Sequence, residues 1–190
     1  MNPEIKTHFA LDRLLRKCLS LDALDESNVR REWQLPPEKQ AAIMLRTCPD
    51  EVTRLIAEDL LNRTFNYDLE GVPGFYLDGG FDLRDELAVL CGLEATGPRY
   101  FRWKLNLRGR GLLRPYYNER GRIAGLVVYR STSDEQPRLL SSAKLYRGAK
   151  ASPYNPLYDH ELINEHRIQT PRLHFTSIRP GVAEGRAAAA

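Results

Sequence analysis

The sequence predicts an α+β protein, an N-terminal helical section followed by a mainly antiparallel β-sheet. Three observations predict it. Apolar residues recur at helical spacing through the first third, Gly- and Pro-rich turn chemistry interrupts that pattern after Tyr67, and from Tyr100 the side chains alternate with a period of two.

The elements follow in order. Residues 5–20 carry Phe9, Leu11, Leu14, Leu15, Cys18 and Leu19 at helical spacing. Asp25 is placed to cap a short second helix through Val29 and Trp33, which Leu35-Pro36-Pro37 ends. Glu38 to Leu45 reads as a third helix, stopped near Cys48-Pro49. Asp50 then caps a fourth, with Val52, Leu55, Ile56, Leu60 and Leu61 on one face as core. Gly71 to Gly80 is turn chemistry around a short extended piece, and Leu83 to Leu90 is a brief helix. Tyr100 to Leu107 alternates Tyr100, Arg102, Lys104 and Asn106 against Phe101, Trp103, Leu105 and Leu107, which puts basic groups on one face of a strand. Gly111 to Tyr117 and Arg122 to Arg130 are two further strands. Asn118-Glu119-Arg120-Gly121 between them fits a type I turn, so the pair is expected to form a hairpin. A last strand is expected over Arg138 to Ser141, and the tail from Pro180 has no core-forming pattern. The expected organisation is a helical section over 1–66, a basic β-rich module over 67–160, and a C-terminal segment over 161–190 with a frayed tail.

Apolar residues make up 42% of the 190, enough for a real core. No stretch approaches the ~18 consecutive apolar residues of a membrane span. Met1 to Lys17 is amphipathic and mixed in charge, unlike a signal peptide. Cys18, Cys48 and Cys91 are odd in number and widely spaced, which suits a reducing cytoplasm better than a disulfide scaffold or a cysteine zinc site. The net charge of +3 conceals a strong asymmetry. Residues 1–98 hold 11 Lys/Arg against 18 Asp/Glu, whereas residues 99–150 hold 13 against 3. A concentrated positive field attracts polyanions, although acidic helices could also neutralise the basic segment within one fold.

Most catalytic signatures are absent from the sequence. There is no Gly-rich phosphate loop ending in Lys-Ser/Thr, no GxGxxG after a strand and no GxSxG elbow. His160 and His166 are six apart and diverge on a helix, while Glu161 and Glu165 share a face without a histidine pair. No cofactor or metal is expected.

The most informative residues are Val72-Pro73-Gly74-Phe75-Tyr76, Gly109-Arg110-Gly111-Leu112-Leu113-Arg114-Pro115-Tyr116, Glu119-Arg120-Gly121-Arg122-Ile123-Ala124-Gly125 with the apolar run to Arg130, and Pro137-Arg138-Leu139-Leu140-Ser141-Ser142. Their order resembles the uncharacterised domain that lies ahead of Toprim domains in primase-like proteins of phages, plasmids and other mobile elements. It is similar to the N-terminal part of the bacterial primase polymerase core, where basic residues hold the template strand and initiating nucleotides. The resemblance covers residues 20–160. The chain departs from the pattern at Arg114, where an apolar residue precedes the proline, and around Leu139, where aromatics are common. The Toprim part itself has no counterpart: no Asp-x-Asp occurs, and Glu184-Gly185 follows Pro180-Gly181 rather than a buried strand.

The resulting expectation is a non-catalytic accessory module that binds single-stranded DNA or RNA, beside a separate Toprim or helicase protein. Its candidate contacts are Arg110, Arg114, Arg120, Arg122, Arg130, Arg138, Lys144 and Arg147, whose charged groups pair with phosphate oxygens. Arg122 and Arg130 would share one face of an unbroken strand. Rings at Tyr100, Trp103, Tyr116, Tyr117, Tyr129 and Tyr146 interleave with this charge, and Tyr116 is the candidate stacking residue. Arg13 and Arg16 lie in the acidic section and are expected to be silent. The alternative is a protein-interaction domain that docks a replication partner.

Overall fold

The computed structural model describes residues 1–107, 109–118, 120–130 and 138–140. Helix α1 (Pro3–Arg13) begins with proline, whose missing N–H has no intrahelical partner to lose, and Asn2 caps it by accepting from the Glu4 N–H at 2.9 Å. It runs into a π-helical turn (Leu14–Cys18) before Leu19 becomes extended. Helix α2 (Ala23–Glu32) is capped by Asp22 rather than Asp25: Asp22 accepts from the Asp25 N–H at 2.7 Å. Asp25 instead accepts from the Thr47 hydroxyl at 2.7 Å and so ties α2 to the sheet edge. Helix α3 (Pro37–Ala42) is shorter than expected, because the chain turns at Met44 with φ +50° into a two-residue strand, β1 (Arg46–Thr47). Helix α4 (Glu51–Thr64) is capped by Asp50, as its sequence suggests.

Strand β2 (Phe75–Gly80) and helix α5 (Leu83–Leu90) precede β3 (Tyr100–Leu105), β4 (Gly111–Tyr117), β5 (Ile123–Arg130) and β6 (Arg138–Leu139). Strands β2 and β3 form an antiparallel pair, and a second antiparallel sheet has the order β1-β4-β5-β6. The β4–β5 hairpin turns where the sequence places it. The Gly121 N–H donates to the Asn118 carbonyl at 2.9 Å, and Gly121 takes φ +69°, which residues with a Cβ rarely adopt.

The four-stranded sheet is covered on both faces. On one, Leu113, Ile123, Leu126 and Val128 pack with Ala10 and Leu11 of α1, Leu14 and Leu15 of the π turn, Leu61 of α4, and Phe75, Trp103 and Leu105 of the strand pair. On the other, Leu112, Tyr116, Val127 and Tyr129 pack with Val29, Trp33 and Leu35. A strand buried on both faces has no reason to alternate, which accounts for the unbroken apolar run of β5. The core therefore crosses residue 66, and the helices wrap the sheet rather than preceding it as a separate layer.

Three expectations change here. Val52 and Ile56 of α4 are exposed, and Glu58 and Asn62 are buried in their place. Arg102, on the face that the alternation makes basic, is only 1% exposed, while Phe101, on the apolar face, is 70% exposed. Strand β5 is bulged: Tyr116 pairs with Gly125 but Tyr117 with Ile123, so Ala124 is the extra residue. Ile123 shares a face with Leu126 and Val128, and Ala124 shares one with Val127 and Tyr129, so the alternation inverts there. The strand is therefore not unbroken, the condition on which a shared face for Arg122 and Arg130 rested.

Candidate nucleic-acid interface

The hairpin tip is built by one asparagine. Asn118 Oδ1 accepts from the backbone N–H groups of Arg120 and Arg122, each at 3.0 Å, which closes the turn locally. The amide nitrogen Nδ2 is then directed at α1, where it donates to Glu4 Oε1 at 2.6 Å. The Arg120 guanidinium reaches Glu4 Oε2 at 2.9 Å and that of Arg122 reaches the same oxygen at 3.3 Å. The hydrogen bond from Asn118, with the fields of both arginines, holds the Glu4 carboxyl below its ordinary pKa against a smaller opposing effect of burial. One turn further along α1, His8 Nδ1 accepts from the Ile123 N–H at 3.2 Å, at the start of the bulge.

At the far end of the ladder Arg110 is exposed, close enough to Asp25 to oppose the rise that burial imposes on that carboxyl. Arg114 is placed differently. It is 5% exposed, its Nε donates to the Tyr129 hydroxyl, and its guanidinium lies 5.8 Å from the centre of the Tyr129 ring. Tyr116 packs beside it in the second core cluster. Both sit on the sheet face that α2 covers, so neither presents itself to a ligand at the surface. Arg130 and Arg138 lie within β5 and β6, but their side chains fall outside the described residues, as do Lys144, Arg147 and the segment from His160 to His166.

Arg16 is closer to the basic strands than its sequence neighbourhood suggests. Its charge acts on Tyr117 at the end of β4 and on Arg46 of β1, although Asp12 pairs with it at 2.7 Å. The fold thus brings residues of the acidic section against the hairpin. Exposed rings are found elsewhere too: Tyr67 and Phe101 are exposed, and Tyr100 lies edge-on to Tyr67 at 6.3 Å.

A second polar constellation holds the free edge of β3. Asn62 of α4 accepts from the Trp103 N–H at 3.0 Å and donates to the Trp103 carbonyl at 2.8 Å. One turn back, Glu58 Oε1 accepts from the Leu105 N–H at 2.8 Å and pairs with Arg54 at 2.7 Å. Side chains of a helix thus take the place of a neighbouring strand. Burial pushes the Glu58 carboxyl up, and the charges of Arg54 and Arg102 with the Leu105 bond only partly oppose it. Arg102 donates to the Phe81 carbonyl at 2.6 Å, and its Cδ would lie 3.0 Å from any Cβ placed on Gly80. Among the described residues, Glu58 Oε2 and the Nε and Nη2 atoms of Arg102 have no hydrogen-bond partner.

The sequence did contain a signal for this constellation: two polar residues four apart inside an apolar helix stripe. Nothing in the sequence singled out Glu4 or His8, whose partners are more than a hundred residues away. Among the described residues no group of three or more His, Cys, Asp or Glu could hold a metal ion, and no helix is long and apolar enough to cross a membrane. No family model, curated protein or solved structure matches the chain.

Proposed function

We propose that the chain binds single-stranded nucleic acid, as a non-catalytic accessory module of a mobile-element type of replication system beside a separate catalytic protein. The observation that carries this reading is the placement of Arg110, Arg120 and Arg122. All three lie on or near the surface at the two ends of the β4–β5 ladder, in a segment whose 13 Lys/Arg face only 3 Asp/Glu. A seven-residue strand spans about 24 Å, enough for several nucleotides to bridge the two ends. Stacking is assigned to Phe101, Tyr67 and Tyr100 in place of the buried Tyr116, since a ring must reach solvent to receive a base.

Titration of a labelled oligonucleotide across a salt series tests the reading. With four to six phosphates neutralised, log K falls against log salt with a slope of about −3 to −4. Changing Arg110, Arg120 and Arg122 together to Ala flattens that slope by about two units, whereas Phe101→Ala weakens binding roughly tenfold at constant slope. Absence of binding at ~50 mM salt rejects it.

A second reading, docking of a protein partner, is favoured by α5 and the turn after it. The buried residue of that helix is Asp85, which accepts from the Thr96 and Gly97 N–H groups, while Val89, Leu90 and Leu93 are exposed. A partner that binds independently of salt and is lost on changing Leu90 and Leu93 to Ser would support it.

A further inference from the structure

We propose that the hairpin tip is a phosphate-binding site and that Glu4 is its internal competitor. This rests on the nucleic-acid reading above and assigns the regulation of that surface. Three side-chain donors from one stretch of five residues converge on a single carboxylate: Asn118 Nδ2 on Oε1 at 2.6 Å, and Arg120 and Arg122 on Oε2 at 2.9 and 3.3 Å. An amide N–H and two guanidinium groups around one anion make the donor set that a phosphodiester oxygen pair would also use.

The turn, and not Glu4, fixes the Asn118 amide and the backbone that carries both arginines. Asn118 Oδ1 and the Gly121 N–H close the turn through bonds within residues 118–122. Removing the carboxylate therefore leaves the Asn118 amide directed at α1 and both arginines carried beside it, without their anion. Exchange needs no opening of the core, because the side chains of Arg120 and Glu4 are 73% and 27% exposed. Exposed ion pairs hold weakly, and a strand that brings several phosphates gains from counterion release that a lone carboxylate does not. Glu4 itself loses little, since it remains in the first turn of α1, where the helix dipole favours a negative charge.

The alternative role for these contacts is a latch that fixes the hairpin to α1. The two differ in sign. Glu4→Gln keeps the shape of the side chain and an acceptor for Asn118 but removes the charge, so a competitor's loss strengthens binding and a latch's loss does not. The test uses the full chain and a labelled single-stranded oligothymidylate, followed by fluorescence anisotropy, with thermal unfolding to show that each variant is folded.

Glu4→Gln is expected to bind roughly three- to tenfold more tightly at ~50 mM salt, with a salt slope steeper by about one unit. Adding Arg120→Ala and Arg122→Ala to Glu4→Gln removes the whole gain. Arg84→Ala on α5, which packs on α4 rather than on the hairpin, leaves the gain intact. If the wild type binds and Glu4→Gln binds equally or more weakly, the competitor is overturned while the nucleic-acid reading stands. A gain that survives loss of both arginines overturns it too, since net charge alone would then explain it. Failure of both the wild type and Glu4→Gln to bind overturns both.

Discussion

Two helix carboxylates hold strands in this molecule, and their surroundings give them opposite characters. Glu58 of α4 lies in the core, accepts from the Leu105 N–H and pairs with Arg54, and its carboxyl is raised by burial. Glu4 of α1 lies at the surface, accepts from Asn118, Arg120 and Arg122, and its carboxyl is lowered by those donors. The bonding is alike, but what differs is the alternative open to each partner. A backbone N–H released from Glu58 finds no water in the core, whereas a guanidinium released from Glu4 is solvated at once. The inner contact is therefore fixed structure, and the outer one is open to exchange.

The largest effect expected from this contrast is at Asn62, the companion of Glu58 on the β3 edge. Asn62→Ala strands the Trp103 N–H and carbonyl together in the core. Two buried unsatisfied backbone groups cost about 2–5 kcal/mol, a large share of a small domain's stability. Denaturant unfolding of the variant measures it. A loss below about 1 kcal/mol would mean that water reaches this edge, and the contrast between the inner and outer contacts would dissolve.

How far the sequence foretold these regions depends on the range of the chemistry. The hairpin was legible because Asn118 and Gly121 build it from within four residues. The fourth helix was legible as a helix, but not in its buried stripe. Val52 and Ile56 fit the apolar period, yet the fold turns Glu58 and Asn62 inward because β3 needs donors and acceptors along its edge. On β3 the period separated the two faces correctly, but it could not show that the Arg102 face would also be closed off, beneath Phe81 and Gly80. Arg114 read as surface charge for the same reason: its cover comes from α2, some eighty residues away. Strand β1 is only two residues long and owes its pairing to β4, so no local pattern announces it.

A smaller effect separates the two carboxylates by pH. Glu58 has a raised carboxyl in the folded chain, so folded protein takes up this proton before unfolded protein does. Its share of stability is full below the ordinary carboxylate pKa and declines as pH rises through the folded value. Glu58→Gln keeps an acceptor for the Leu105 N–H but cannot titrate. As pH falls from neutral towards the carboxylate range, wild type should therefore gain stability relative to Glu58→Gln. Glu4 runs the other way. Its lowered carboxyl contributes above the unfolded value, and wild type should lose stability relative to Glu4→Gln as pH falls through the folded one. Unfolding midpoints of the three proteins from neutral to acid pH decide this, and slopes of equal sign would break the comparison.

The smallest effect sharpens it most. If the hairpin tip is shaped by its own turn, Glu4→Gln should leave the amide exchange of Arg120 and Arg122 almost unchanged, because both N–H groups donate to Asn118 Oδ1 and neither to Glu4. Asn118→Ala removes that acceptor and should speed exchange at both positions, by about tenfold if one hydrogen bond of ordinary strength is lost at each. The Trp103 and Leu105 amides, held by Asn62 and Glu58, serve as the internal reference and should stay protected in both variants. Rapid exchange at the tip in Glu4→Gln would mean that docking on α1, rather than turn chemistry, builds the hairpin end. The outer carboxylate would then be as structural as the inner one.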